Sequence, residues 1–151
     1  MMNSPDLARA SSPDEALRLV IAHFAADTGT IHALVDGMLE LAAHHGGYPP
    51  QLLEIIRRIP IGKGMAGLAA ERREPVSACN IQTDASGDVR PGAKLTGMEG
   101  AIVVPMLDAA GSLRGTLGIA NRDARTWTDA ESSAVLAAGR TICERWFSAS
   151  A

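Results

Sequence analysis

The chain has 151 residues, within the roughly 100–200 of a single domain, and 46 % hydrophobic with 21 % charged residues is the composition of a globular protein rather than a disordered one. A net charge of −3 and only five aromatic side chains, Phe24, Tyr48, Trp127, Trp146 and Phe147, exclude the basic face and stacking aromatics of a nucleic-acid binder. Two cysteines, Cys79 and Cys143, cannot make a disulfide scaffold, no apolar run approaches the ~20 residues of a membrane span, and the start lacks the basic-then-apolar order of a signal peptide, so the expected compartment is the cytoplasm.

Residues 1–11 carry few apolar side chains and no period, and read as a disordered tail ahead of one domain over 12–148. Ser12-Pro13-Asp14-Glu15 has the order of a capping box, and Leu17, Val20, Ile21 and Phe24 follow at helical spacing, which predicts a helix from Pro13 to about Ala26. Thr30 to Val35 and Met38 to Ala43 read as strands joined by an Asp36-Gly37 hairpin turn. His44 to Pro50 is loop chemistry, Leu52, Leu53, Ile55 and Ile56 suggest a short helix, and Arg58 to Ile61 a brief strand. A helix opens in Gly62-Lys63-Gly64-Met65-Ala66-Gly67 and runs to about Glu71, followed by a strand over Pro75 to Cys79.

From Asn80 to Gly100 the chain is polar and glycine-rich without a period, and unstructured loops of this length are commonly lids or binding loops. Ala101 to Leu107 and Leu113 to Ala120 form a second hairpin around Asp108-Ala109-Ala110-Gly111. Thr128-Asp129-Ala130-Glu131 is another capping box, and Val135, Ala138, Ile142 and Trp146 mark one face of a helix reaching about Phe147. Helices, hairpins and short strands in this order are α+β, with an antiparallel sheet, not the regular alternation of a parallel-sheet enzyme.

Gly62, Gly64 and Gly67 spell a dinucleotide-binding G-x-G-x-x-G, but Arg57, Arg58 and Pro60 stand where a buried parallel strand would be apolar, and the following helix ends within about two turns at Glu74-Pro75. A phosphate loop would need a hydroxyl residue after Lys63, where Gly64 stands. The bland reading is a tight glycine turn that lets a helix start against the sheet. His44 and His45 are adjacent and point to opposite sides of an extended chain, so they are no metal chelate; His32 faces either a pocket or solvent. No nucleophile elbow or paired carboxylates stand out, and no catalytic or metal-ligating residue is singled out.

Taken together, Ile59-Pro60-Ile61-Gly62-Lys63-Gly64-Met65-Ala66-Gly67-Leu68-Ala69-Ala70, Glu74-Pro75-Val76, Gly100 to Met106, Gly115-Thr116-Leu117-Gly118-Ile119 and Trp127-Thr128-Asp129-Ala130-Glu131 resemble the GAF domain family in five anchors taken in order. The resemblance covers about Pro13 to Phe147. It implies an antiparallel sheet of five or six strands, with the terminal helices on one face and short helices plus a long lid loop over a ligand pocket on the other. It also implies a sensory or regulatory module for a small molecule, commonly a homodimer through the terminal helices, without nucleic acid or membrane. The family's cyclic-nucleotide signature, bilin-attachment cysteine and haem histidine have no counterpart in this sequence, so the cofactor stays unassigned.

The expected ligand contacts are Met65, Ala66, Cys79, Asn80, Gln82, Thr83, Lys94, Thr96, Met98, Glu99 and the floor residue Val103, with Arg90 or Lys94 pairing with an anion. A few polar groups over an apolar floor are what a small-molecule site needs. Two rivals remain open. In the family's enzymatic branch, loop cysteines reduce free methionine sulfoxide; here the Gly64-Met65-Ala66-Gly67 segment and the Ile81 to Glu99 lid hold no cysteine, leaving Cys79 as the candidate nucleophile. In an interaction module the pocket is vestigial and Trp146-Phe147 anchor an interface, unless Trp146 simply packs on the first helix.

Overall fold

The computed structural model describes residues 5–84, 86 and 96–147. A 3₁₀ turn at Leu7–Arg9 precedes α1 (Pro13–His23), β1 (Thr28–Val35), β2 (Met38–His45), α2 (Pro50–Ile56), β3 (Arg58–Pro60), α3 (Gly64–Arg72), β4 (Val76–Ala78), β5 (Gly100–Leu107), β6 (Leu113–Asn121) and α4 (Asp129–Ile142), which continues into a π-helical turn at Cys143–Phe147. The strands form one antiparallel sheet in the order β3-β2-β1-β6-β5-β4, so the fold is the α+β class expected from sequence, with six strands.

Two hairpins supply the four central strands. In the first, Val35 pairs with Met38 around Asp36 and Gly37, whose φ values of 50° and 79° give a left-handed two-residue turn that follows the twist of the strands. In the second, the Asp108 carboxylate accepts from the Ala110 and Ser112 amides and from Arg114 Nε at 2.9–3.0 Å, closing the loop between β5 and β6. The hairpins join where β1 pairs with β6, from Thr28 against Ala120 to Ala33 against Gly115.

Because side chains alternate across a strand, the sheet has two unlike faces. Ile31, Ile102, Val104, Leu117 and Ile119 meet Leu17, Val20 and Ile21 of α1 and Val135, Ala138 and Ile142 of α4 in the main core. On the other face a smaller cluster joins Met65 and Ala69 of α3 to Val76, Ala78, Ile81, Met98 and Ala101.

Several boundaries differ from expectation for identifiable reasons. α1 ends at His23 rather than near Ala26: Ala25 takes φ 54°, and the Ala25 and Ala26 amides bond back to the Ala22 and Ile21 carbonyls, a helix stop made without the usual glycine. The Ser12 hydroxyl accepts from the Glu15 amide at 3.2 Å, but the Glu15 carboxylate turns to the Ser11 amide and hydroxyl, so only half of the expected box forms. At Thr128 the box is complete. His44 and His45 belong to β2, opposite Thr30 and Gly29, and are not loop residues. Leu7 and Ala10, expected within a frayed tail, are buried in the main core, and the Arg145 guanidinium donates to the Leu7 carbonyl.

Arg125 ties the far ends of the chain together. Its guanidinium donates to the Phe24 carbonyl at 2.6 Å, to Asn121 Oδ1 at 3.0 Å and to Glu131 Oε2 at 2.6 Å, and it stacks 3.9 Å from the centre of the Trp127 ring. One cation thus bridges the end of α1, the end of β6 and the first turn of α4. A planar fork can do this and an ammonium cannot. Arg125→Ala is expected to lower stability by about 2–3 kcal/mol, and Arg125→Lys to recover less than half of that; a denaturant midpoint within error of wild type for either variant contradicts this role.

Candidate functional site

The face opposite α1 and α4 is hollow. A cavity of about 480 Å³ has β1, β5 and β6 as its floor, through Thr30 and His32, Ala101 and Val103, and Gly118 and Ala120. Its walls are Tyr48, Leu52, Ile55 and Ile56 around α2 and the segment Lys63-Gly64-Met65-Ala66 at the start of α3, with Ile81 and Thr96 at the ends of the long loop. The hollow follows from side-chain size. Three floor residues on this face, Ala101, Gly118 and Ala120, are small, whereas the alternate positions Ile102 and Leu117 are large and fill the helix side.

The glycine turn before α3 shapes one wall. Gly62 and Gly64 have φ of 89° and 68°, and a Cβ on Gly67 would lie 2.5 Å from the Pro60 carbonyl oxygen, so α3 starts in direct contact with β3. The three glycines therefore serve close helix packing. No side chain caps this helix, and Lys63 at its N-cap is the one charged group among the described residues lining the cavity.

His32 is the most constrained polar group of the site. It is 2 % exposed, and its Nε2 lies 2.8 Å from the Ile56 carbonyl oxygen. A carbonyl only accepts, so Nε2 carries the proton and Nδ1 presents a lone pair. Among the described residues nothing bonds to that buried Nδ1. Burial pushes the imidazole pKa below its ordinary value, and the Ile56 carbonyl offsets only part of that shift. Burial likewise pushes the Tyr48 phenol upward, keeping it protonated.

Of the residues expected from sequence as contacts, Met65, Ala66, Thr96 and Val103 line the cavity. Asn80, Gln82, Met98 and Glu99 instead clasp the two ends of the long loop. The Ile81 amide donates to the Glu99 carbonyl at 2.6 Å, Gln82 Nε2 to the Met98 carbonyl at 2.8 Å, and Asn80 Nδ2 to Glu99 Oε1 at 3.3 Å. Thr83 is exposed on the turn that follows, and Lys94 and Arg90 lie outside the described residues. Cys79 is exposed after β4, 3.6 Å from the Thr126 hydroxyl, and does not line the cavity. Cys143 is buried in the main core, where burial above all, and next the Asp108 charge, push its thiol up to about 11. Trp146 and Phe147 pack against that same core, with the Arg145 guanidinium 4.2 Å from the Trp146 ring.

Sequence reasoning left His32 open and did not find Thr30, Tyr48, the α2 isoleucines or Lys63. Thr30 and His32 share a parity opposite to Ile31, a signal that polar residues face the second side of β1. The wall from α2 carried no such signal, because its apolar residues look the same whether they fill a core or line a hollow. Among the described residues no group of His, Cys, Asp and Glu is arranged to hold a metal, and no helix is long and apolar enough to cross a membrane.

A family model described as a GAF domain matches residues 10–142. No curated protein matches the sequence. Among solved structures, the GAF domain of phosphoenolpyruvate-protein phosphotransferase from Acinetobacter is similar at TM-score 0.72 and 17 % identity, over 91 % of this chain and 83 % of that one. The corresponding domain from Coxiella burnetii gives 0.71 and 22 % over the same shares. Free methionine-R-sulfoxide reductase from Neisseria meningitidis, in complex with its substrate, gives 0.71 and 16 %, over 90 % and 78 %. At these identities the likeness is one of fold.

The lowered His32 pKa has a defined consequence for stability. An unfolded histidine titrates near 6.5, so below about pH 6.5 the unfolded chain takes up a proton that the folded one does not. Stability is full above about 6.5 and falls as pH drops from there towards the folded pKa, whereas the lowered carboxylates Glu15, Asp108 and Glu131 act only below about pH 4.3. Denaturant midpoints at pH 7.5 and 5.5 are expected to differ in the wild type and to converge in His32→Gln; an equal drop in both proteins contradicts the assignment.

Proposed function

The chain belongs to the GAF domain family, and on that premise we propose that it is a small-molecule-binding regulatory domain whose ligand occupies the cavity between the sheet, α2 and α3. The observation that carries this reading is the hollow second face itself, an apolar pocket of about 480 Å³ edged by a few polar groups, within the range of small-molecule sites. Burying about 200 Å² of apolar ligand surface contributes roughly 5 kcal/mol before the cost of association. Lys63 is cationic and the described lining has no carboxylate, so the ligand is neutral or anionic and mostly apolar. The sequence-based expectations of a cytoplasmic sensor acting as a homodimer through its terminal helices are part of the same proposal.

Thiol redox chemistry fits the site less well. Cys79 stands outside the cavity and Cys143 is buried in the main core with a raised pKa, the reverse of an activated nucleophile. Trp146 and Phe147, the anchors of the interaction-module reading, are half-buried against the main core.

Native mass spectrometry of the purified protein, before and after denaturation, combined with titration by the anionic dye anilinonaphthalene sulfonate, tests the proposal. The expected result is a non-covalent adduct or saturable dye binding that Ala66→Trp, which fills the cavity from α3, reduces at least about tenfold in affinity and Cys79→Ser leaves unchanged. Wild-type protein with neither, or binding indifferent to Ala66→Trp, overturns it.

A further inference from the structure

We infer that Gly118 is a specificity notch in the cavity floor: the gap it leaves between Thr30 Oγ1 and Val103 Cγ2 takes the edge of a planar, mostly apolar ring, and the Thr30 hydroxyl bonds a polar substituent on that edge. The inference rests on the proposed role of the cavity as a ligand site. It adds a chemical class, planar aromatic molecules carrying a hydrogen-bonding group, and two selecting residues.

A glycine inside a strand weakens it, and it marks a bulge, a tight bend, or the close approach of another backbone or of a ligand. The described strands hold four glycines. A Cβ on Gly29 would lie 2.9 Å from the Gly118 carbonyl oxygen, on Gly100 it would lie 2.8 Å from the Arg125 amide nitrogen, and on Gly115 it would run into the His32 carbonyl oxygen. The backbone itself excludes a side chain at these three. Gly118 differs. It pairs in register with Thr30 on β1 and Val103 on β5, without a bulge at that rung, and its φ is not in the left-handed region. A Cβ there would first meet two side-chain atoms, Val103 Cγ2 at 3.2 Å and Thr30 Oγ1 at 3.5 Å, of which the valine methyl can yield. The protein's own packing does not require glycine at this position, and the approach of a ligand is the reason that remains.

The same distances place the polar atom. Thr30, Val103 and Gly118 all line the cavity, on the face opposite Ile31, Ile102 and Leu117. A Cβ on Gly118 would therefore point into the hollow, and Thr30 Oγ1 lies beside that point. Among the described residues the side-chain polar atoms buried without a partner are Thr28 Oγ1, His32 Nδ1 and Trp127 Nε1. Thr30 Oγ1 is not one of them and has no hydrogen-bond partner among the described residues, so it keeps surface open to the cavity.

Shape and chemistry then select together. The gap between the hydroxyl and the valine methyl admits one layer of atoms in contact with both, which suits the edge of a flat ring and not a puckered one. Leu52, Ile56, Met65 and Ile81 supply apolar walls for the rest of the molecule. A hydroxyl both donates and accepts. Once a ligand excludes water from Thr30, a polar edge satisfies that hydroxyl and an apolar edge leaves it unpaired.

The test compares 2-naphthol with naphthalene, which lacks the hydroxyl, and with decahydro-2-naphthol, which keeps the hydroxyl on a puckered skeleton. Each is titrated into the protein and followed by NMR at the Gly118 amide and the Thr30 methyl, with anilinonaphthalene sulfonate as a separate reporter of the cavity. The wild type is expected to bind 2-naphthol about tenfold more tightly than either partner, with both signals shifting. Thr30→Val, nearly isosteric, erases the preference over naphthalene. Gly118→Ala erases the preference over decahydro-2-naphthol and keeps a denaturant midpoint at or above that of the wild type. Equal affinities within either pair, unmoved Gly118 and Thr30 signals, or a Gly118→Ala midpoint well below wild type overturns the inference and leaves the cavity as a site. Binding of the dye without binding of any of the three compounds does the same, whereas absence of dye binding as well overturns the ligand-site reading too.

Discussion

The pairing of β1 with β6 is the constraint on which the remainder depends. It joins two hairpins far apart in sequence, and its geometry leaves no room for a side chain at Gly29 or Gly115. A Cβ on Gly29 would lie 2.9 Å from both the Gly118 carbonyl oxygen and Leu17 Cδ1. α1 therefore rests directly on the seam, and its Leu17 and Ile21 seal it from one side. Once the seam is set, the parity of every central residue follows: Ile31 and Leu117 face the helices, Thr30 and His32 the cavity.

The two faces then solve different problems. The helix face is packed with branched and aromatic side chains under α1 and α4, and Arg125 locks its margin. The other face carries the small residues Ala101, Gly118 and Ala120; Ala101 packs with Met65 and Ala69 of α3, and beside that cluster a hollow remains. One polar group, His32, is built into that floor with half of its hydrogen-bonding capacity spent on α2 and half unspent. The main core lies on the first face and the cavity on the second.

Much of this was legible in the residues. The hairpin turns, the Thr128 box, the glycine turn before α3 and the amphipathic terminal helices each rest on local chemistry that tertiary context did not overrule. The size alternation in Gly118-Ile119-Ala120 already encodes one filled and one hollow face. What escaped has physical reasons. The stop of α1 uses Ala25 where glycine is expected; β2 runs on through His44 and His45 because β1 continues to offer partners; and Leu7 is held by Arg145, a contact no local pattern announces. Polar loop residues such as Asn80, Gln82 and Glu99 looked like ligand contacts and are engaged in clasping the loop ends.

The central claim is that the second face is a small-molecule site. The most direct measurement is a high-resolution crystal structure of the protein as purified from its own host, read for density between β1, α2 and α3. The account predicts a bound molecule between the sheet, α2 and α3. A collapsed pocket, with Ile55, Ile56 and Met65 filling the space, would contradict it.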